Sequence, residues 1–276
     1  MEELKEIFEK FLEAQKTRDI KVLVDLYRKI VISRNALAVE QGYESYIDMQ
    51  VKKIYRILEV DWKKYLSNKD SFSSKFSPNL DSSSNSPHFL SKLPKINMEY
   101  PEGVIDFVAK KYPEISVVRD KITIEKSDKG AYFRYSKDDG TYSIFIPKTN
   151  FNQKVSMFIH ELAHIISQER TDHQEFVYSM EFEAHKIEFE LAKDISKEFL
   201  QAVIGEYLPC LVRADFQISM FSNLHLDPIE TYTNCFAKYI GGLNEKNQTE
   251  FLFDKKITHN PFVDMPDAVS LVNLLS

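Results

Sequence analysis

Residues 160–164, His-Glu-Leu-Ala-His, combine two imidazoles and a carboxylate within about one turn of a helix. Side chains four residues apart on a helix point the same way, so His160 and His164 are expected to face one point. This pattern suits Zn²⁺, with the intervening carboxylate accepting a proton from a water molecule on the ion. We therefore expect His160 and His164 to bind zinc and Glu161 to be the general base. The alternative is a pair of histidines that are hydrogen-bonded inside a core.

A second acidic segment supplies candidates for a third ligand, because catalytic zinc takes three protein ligands and keeps one position for water. Glutamates occupy positions 181, 183, 188 and 190, with His185 among them. On a helix Glu181, His185 and Glu188 share a face, whereas Glu183 and Glu190 form another stripe. We expect Glu181 to be the ligand, with Glu188 and His185 orienting a ligating imidazole. The alternative is that these residues form a charged outer face of the helix. For His185 taken by itself, three roles stay open: ligand, residue that supports a ligand, or surface residue.

Amphipathic helices are expected to surround this motif. Helical spacing of apolar residues and a Ser-x-x-Asp start signal predict helices over residues 4–12, 23–30, 45–60 and 101–108. The motif helix is strongly apolar, with Asn152 as its expected N-cap, so it should be buried. The chain after it reads as helical, with breaks expected at Pro209, near Pro228 and at Gly241-Gly242.

A small β-sheet is expected directly before the motif helix. Residues 115–118 and 121–125 look extended. Residues 131–135 and 142–146 flank Asp138-Asp139-Gly140, a strong turn signal. The pattern predicts a β-hairpin that leads into the motif helix.

Composition limits the classes of partner. The formal net charge of −6 and the isoelectric point near 5.7 disfavour binding to nucleic acid or to anionic membranes. A peptide or protein partner fits this charge better. The charged start of the chain and the lack of a long apolar run favour a cytoplasmic location. Cys210 and Cys235 are too few for a disulfide framework and are expected to be buried fillers.

Composition also suggests three regions. Residues 1–66 are expected to form a helical region. Residues 67–97 are rich in serine and proline and are expected to be a linker or mobile loop. Residues 98–276 then contain the expected metal site and form the expected catalytic domain.

Several segments follow an order that is found in one known family. A Gly-Ala-Tyr sequence at 130–132 precedes the extended residues 142–146 and the motif helix, and residues 181–189 read EFEAHKIEF. These segments resemble the oligoendopeptidase F and thimet oligopeptidase type of zinc metallopeptidase. Residues 34–48, 215–217 and 227–230 look like helical parts of the same enzymes. The resemblance implies a mainly α, zincin-like fold with a small β-sheet, a hairpin plus an edge strand, before the motif helix.

The same resemblance implies a function. The family's ligating glutamate is followed seven residues later by another, which supports Glu181 over Glu183. The implied enzyme is a zinc metallopeptidase that cleaves short or extended peptides. The strand at 142–146 would be the edge that pairs with the substrate, and Tyr132, Tyr142 and Ile144 are expected to contact it.

The chain also departs from the family. Ala163 stands where a glycine is usual, and the interval between His160 and Glu181 is shorter than is usual. Near the C-terminus, the family normally carries tyrosines, one of which stabilises the oxyanion. Here Val263, Asp264 and Asp267 occupy those places.

Another hydrogen-bond donor would therefore be needed, and His259 is the best placed in the sequence, ahead of His225 and Tyr232. Two alternatives to a general peptidase stay open at this stage. One is a regulatory protease with a single protein substrate. The other is a catalytically silent module that binds a metal or a peptide.

Overall fold

The computed structural model describes residues 2–76, 89–170 and 177–276. The chain divides into two compact units: the described parts of Met1–Pro87 and Tyr207–Ser276 form one, and those of His88–Glu206 form the other. The motif and the acidic segment both lie in the second unit. The domain boundaries expected from composition stay a prediction. No helix in the described part of the chain is long and apolar enough to cross a bilayer.

The structure is mainly helical with a small sheet. The helices of the described residues are α1 (Glu2–Thr17), α2 (Ile20–Glu40), α3 (Tyr46–Met49), α4 (Glu59–Phe76), α5 (Glu102–Ala109), α6 (Glu114–Val118), α7 (Phe151–Arg170), α8 (Val177–Ile195), α9 (Lys197–Ser222), α10 (Pro228–Tyr239), α11 (Lys255–Thr258) and α12 (Met265–Leu275). The strands of the described residues are β1 (Ile122–Ser127), β2 (Tyr132–Ser136) and β3 (Thr141–Pro147). This confirms a mainly α fold with a β-sheet ahead of the motif helix.

The first unit is built from helices that bury apolar faces at helical spacing. On α2, Leu23, Tyr27 and Ile30 are fully buried, as their spacing predicts. The ring of Tyr27 stacks on Phe216, with 5.9 Å between ring centroids. Cys210 and Cys235 are both buried and unpaired, as expected for apolar fillers.

The expected helix over residues 45–60 is interrupted. Ser45 caps α3 as predicted, since its side chain accepts a hydrogen bond from the amide of Asp48 at 3.1 Å. A π-helix then covers Gln50–Ile54, and Arg56 has a positive φ of 52°. Because a non-glycine residue in this region cannot continue a helix, α4 begins only after it.

The serine-rich segment starts as helix rather than as loop. Residues 67–76 belong to α4, which continues the apolar spacing of the preceding residues and buries Phe72. Residues 77–88, which include His88, lie outside the described residues. Leu90–Lys92 form a short 3₁₀ helix.

Two further local predictions are wrong. Residues 115–118, expected to be extended, lie in α6, where Ile115 and Val118 are buried at a helical spacing of three. Pro209 does not break α9, whose neighbouring apolar residues are buried on both sides.

The sheet has the order β1-β3-β2. β2 and β3 form the predicted antiparallel hairpin, and Gly140 takes the positive φ of 67° that the turn requires. β3 also pairs in parallel with β1 and is therefore the central strand. The prediction that residues 142–146 form an edge strand is wrong, because sheet order depends on long-range pairing.

The residue that caps helix α7 lies two positions earlier than predicted. Asn150, not Asn152, caps it by accepting a hydrogen bond from the amide of Gln153 at 3.0 Å. Asn152 is buried, and its side chain instead exchanges hydrogen bonds of 3.1 Å with the backbone of residues 90–96. These contacts fix the start of the motif helix against the segment before α5.

Candidate metal centre

Helix α7 holds the motif rigidly in the second unit. Its apolar residues around the motif are almost fully buried; they are Val155, Phe158, Ile159, Leu162, Ile165 and Ile166. This burial fixes the rotation of the helix, because turning it would expose the apolar stripe. His160 and His164 consequently project from one face toward α8.

Three ligand atoms of the predicted set converge. The Nε2 atoms of His160 and His164 are 3.1 Å apart. The Oε2 atom of Glu181 lies 3.3 Å from the first nitrogen and 3.5 Å from the second. Ligands bound tetrahedrally to zinc at its usual bond lengths are about 3.3 Å apart, so the donor set fits Zn²⁺.

The charges at this point also favour a cation. Burial lowers the pKa of His164 to about 3, which keeps its imidazole neutral. Burial raises the pKa of Glu181, but the neighbouring histidines outweigh this effect and hold it below its usual range. Two facing imidazole nitrogens and a carboxylate repel one another unless a positive charge lies between them. Glu181 and Glu188 likewise favour positive charge here, because they raise the pKa of His160 despite its burial.

Glu188 lies behind the ligands, where the sequence predicts a supporting residue. Its Oε2 lies 3.1 Å from Nδ1 of His160, and its Oε1 accepts a hydrogen bond from Ser156 at 3.0 Å. His185 is fully buried, with its Nδ1 3.4 Å from the same carboxylate. The contact with Nδ1 leaves Nε2 of His160 directed toward the other ligands. Ser156 was missed at the sequence level, although it lies one helical turn before His160.

The buried set of His160, His185 and Glu188 could also hold a cation. We favour the set with Glu181, because the side chain of Glu181 is partly exposed, whereas His185 and Glu188 are closed off from solvent. A catalytic zinc needs an open position that water can reach. Glu188 is in addition already engaged by Ser156.

We expect Glu188→Ala to weaken Zn²⁺ binding by about 10- to 100-fold, because the imidazole of His160 loses the group that orients it. Glu188→Gln should have a smaller effect, since its amide oxygen still accepts the hydrogen bond. Competition with a chromophoric chelator measures the dissociation constant. Glu190→Ala is the matched control, because this side chain lies half-exposed on the same helix. Equal affinity in all forms would contradict this assignment.

Glu161 occupies a buried position beside the ligands. Burial raises its pKa to about 7, with a contribution from the nearby carboxylates. The backbone amide of Phe133, on β2, donates a hydrogen bond to it. The ring of Phe133 also stacks on His164, with 5.2 Å between ring centroids. No sequence pattern singled out Phe133.

Of the three residues expected to contact a substrate, two are buried and one is exposed. Tyr142 and Ile144 are buried on the central strand, and the hydroxyl of Tyr142 donates a hydrogen bond to Glu169. Their expected role in pairing with a peptide is therefore wrong, because β3 already pairs on both sides. Tyr132 lies on β2, at the edge of the sheet, and is 36% exposed.

The C-terminal segment with the altered residues belongs to the first unit. Asp264 is buried there and forms ion pairs with Arg213 and, at 2.8 Å, with Lys256. His259 makes a contact of 2.8 Å between its Nδ1 and Thr258 Oγ1, and its carbonyl oxygen accepts a hydrogen bond from Arg34. The role of His259 as an oxyanion donor stays a prediction.

No family model matches the chain, and no curated protein matches its sequence. Three solved structures share its fold. A protein designated oligoendopeptidase F has a TM-score of 0.62 at 14% identity, over 95% of this chain and 55% of that one. Pz peptidase A with an inhibitor has a TM-score of 0.58 at 14% identity, over 94% of this chain and 55% of that one. A Bacillus anthracis protein that is also designated oligoendopeptidase F has a TM-score of 0.56 at 13% identity, over 94% of this chain and 53% of that one.

These similarities identify the fold as oligoendopeptidase F-like and as mainly α and zincin-like. The chain has a peptidase-like fold. It spans about half the length of the solved structures that it matches. Activity, metal and substrate therefore have to be argued from its own residues.

Proposed function

We propose that this chain is a zinc-dependent peptidase that cleaves extended peptides. The observation that carries the proposal is the convergence of His160, His164 and Glu181, whose ligand atoms lie 3.1 to 3.5 Å apart. The peptidase-like fold agrees with it.

The residues divide the chemical work among them. His160, His164 and Glu181 would hold Zn²⁺, which when bound polarises a water molecule and the scissile carbonyl. Glu161, which lies beside these ligands, would accept the proton of the attacking water and then pass it to the leaving amine. Glu188 keeps His160 in the tautomer that ligation requires.

The edge strand β2 supports the choice of an extended peptide as substrate. Its amide at Phe133 faces Glu161, so the side of β2 away from β3 faces the reacting groups. Within the described residues no strand pairs with that side of β2. A peptide could then add to β2 along this edge, as in strand addition, although the amide of Phe133 itself is bonded to Glu161.

The test is reconstitution with metal and measurement of hydrolysis. The protein is stripped with a chelator, zinc is added back stepwise, and the cleavage of a mixture of unrelated short peptides is followed by mass spectrometry. We expect no cleavage by the stripped protein and a rise that saturates at one Zn²⁺ per chain.

Each other outcome selects a different function. Cleavage confined to one protein partner would replace the general peptidase by a regulatory protease. Zinc binding without cleavage of any peptide would indicate a silent metal-binding module. A protein that takes up no zinc after reconstitution would refute the proposed function altogether.

A further inference from the structure

An aromatic and cationic cluster lies on the edge strand beside the metal centre. Tyr132 stacks on Phe145 of the central strand, with 4.4 Å between ring centroids and 10° between ring planes. The guanidinium of Arg134 lies 5.5 Å from the centre of the same Phe145 ring. Tyr132 and Arg134 are two residues apart on β2, so both side chains project from one face of the sheet.

This face is the one opposite helix α7. Phe133, between the two residues, points to the other face and stacks on His164. Along β3 the residues on the side of α7 are buried, whereas those on the side of Phe145 are only partly buried. Tyr132 and Arg134 remain exposed at the edge where a peptide would lie.

Charge on this face leaves Arg134 available for an anion. In the described part of the chain no carboxylate forms an ion pair with Arg134. Glu125 projects from the same face, but it lies on β1, across the central strand, in the row of Phe145 and Tyr132. An acidic side chain arriving at the open edge of β2 would meet Arg134 first.

We propose that the edge strand selects peptides in which an acidic residue and an aromatic residue are two positions apart. Side chains that lie opposite each other on paired strands share a face. A peptide residue opposite Arg134 therefore meets its guanidinium, and one opposite Tyr132 meets the Tyr132–Phe145 stack. This selection rests on the proposed function and names the substrate class of the same site.

The order of the two residues reports the direction of the peptide. A peptide antiparallel to β2 passes Arg134 before Tyr132, so it reads acidic, any residue, aromatic. A parallel peptide reads aromatic, any residue, acidic. Alanine-based peptides with Asp-Ala-Phe or Phe-Ala-Asp at their centre therefore distinguish the two directions.

The experiment exchanges charge on the protein and on the peptide. The zinc-loaded protein is assayed with quenched fluorescent peptides that carry Asp-Ala-Phe, Lys-Ala-Phe, Phe-Ala-Asp or Phe-Ala-Lys in the same alanine background. We expect kcat/KM for one acidic peptide to exceed that of its lysine counterpart by about threefold, as for an exposed ion pair. Arg134→Glu should reverse this preference, so that the acid-to-base ratio changes by about tenfold.

Lys137→Glu is the matched control, because it makes the same charge reversal at an exposed residue just beyond the end of β2. It should leave the acid-to-base ratio as in the unaltered protein. High salt should reduce the ratio toward one, since an exposed pair is screened. The selection is overturned if Arg134→Glu and Lys137→Glu give the same ratio.

A binding measurement separates this inference from the proposed function. Dissociation constants of the same peptides, fluorescently labelled, are measured with the zinc-loaded Glu161→Gln variant, with and without Arg134→Glu. Binding that prefers the acidic peptide and depends on Arg134 supports the selection even if no form cleaves. Equal binding of all four peptides, or no binding, would refute it, whether or not other peptides are cleaved.

Discussion

We expect Glu161→Gln to lower kcat for the proposed peptide cleavage by about 10³-fold and to leave zinc binding unchanged. The size of the effect is that of losing a general acid–base catalyst. Glutamine cannot take the proton of the attacking water, whereas the three ligand atoms contributed by His160, His164 and Glu181 are untouched. Steady-state kinetics and the zinc content of the purified variant measure the two properties side by side.

This substitution is also expected to preserve the fold. Glutamine has the shape of glutamate, and its amide oxygen still accepts the hydrogen bond from the amide of Phe133. It also removes a carboxyl whose charged form is penalised by burial, which is why the pKa of Glu161 is raised to about 7. The free energy of unfolding of the Glu161→Gln variant should therefore stay close to that of the unaltered protein.

Glu183→Gln is the control, because the same change is made at a partly exposed residue that pairs with Lys186. It should have unaltered kcat. If Glu161→Gln and the unaltered protein cleave peptides at the same rate, another group acts as the base. If both are inert toward a broad set of peptides, the assignment of peptidase activity fails.

The geometry of the candidate metal centre follows from local spacing. His160 and His164 lie one helical turn apart on α7. On α8, His185 lies one turn after Glu181, and Glu188 lies one turn after His185. Helical periodicity brings such residues to one face whatever the rest of the chain does. Because both segments are helical, residues 160–164 and 181–188 could be predicted together from the sequence.

The sheet could be predicted only in part. The turn at Gly140 identifies a hairpin, because its signal is carried by adjacent residues. The parallel pairing of β1 with β3 joins residues 20 positions apart and leaves no local signal. The sequence therefore indicates an edge at β3, with substrate contacts from Tyr142 and Ile144, whereas the edge strands of the sheet are β1 and β2.

Errors in the helices have a similar origin. Pro209 is a strong local signal for a break, yet burial of its neighbours stabilises α9 through it. Ile115, Val117 and Val118 are β-branched, which favours strand locally, but the burial of Ile115 and Val118 at a spacing of three gives a helix. Tertiary burial overrides intrinsic propensity in both segments.

Glu181→Ala is expected to weaken zinc binding by more than about 100-fold, because loss of a ligand exceeds the 10- to 100-fold effect of a residue that only orients one. It should also remove the negative charge that offsets the burial of a cation between His160 and His164. The dissociation constant is measured by chelator competition, and peptide cleavage should fall with zinc occupancy. Glu183→Ala, two residues away on α8, should bind zinc normally.

Comparison of Glu181→Ala with Glu188→Ala also decides between the two candidate cation-binding sets that contain His160. In the favoured set Glu181 is a ligand and Glu188 orients His160, so Glu181→Ala has the larger effect on the dissociation constant. In the buried set, His185 and Glu188 would be ligands with His160, and the order of the two effects would be reversed. A reversed order would move the metal away from Glu161 and Phe133, and Glu161 would then have no activated water beside it.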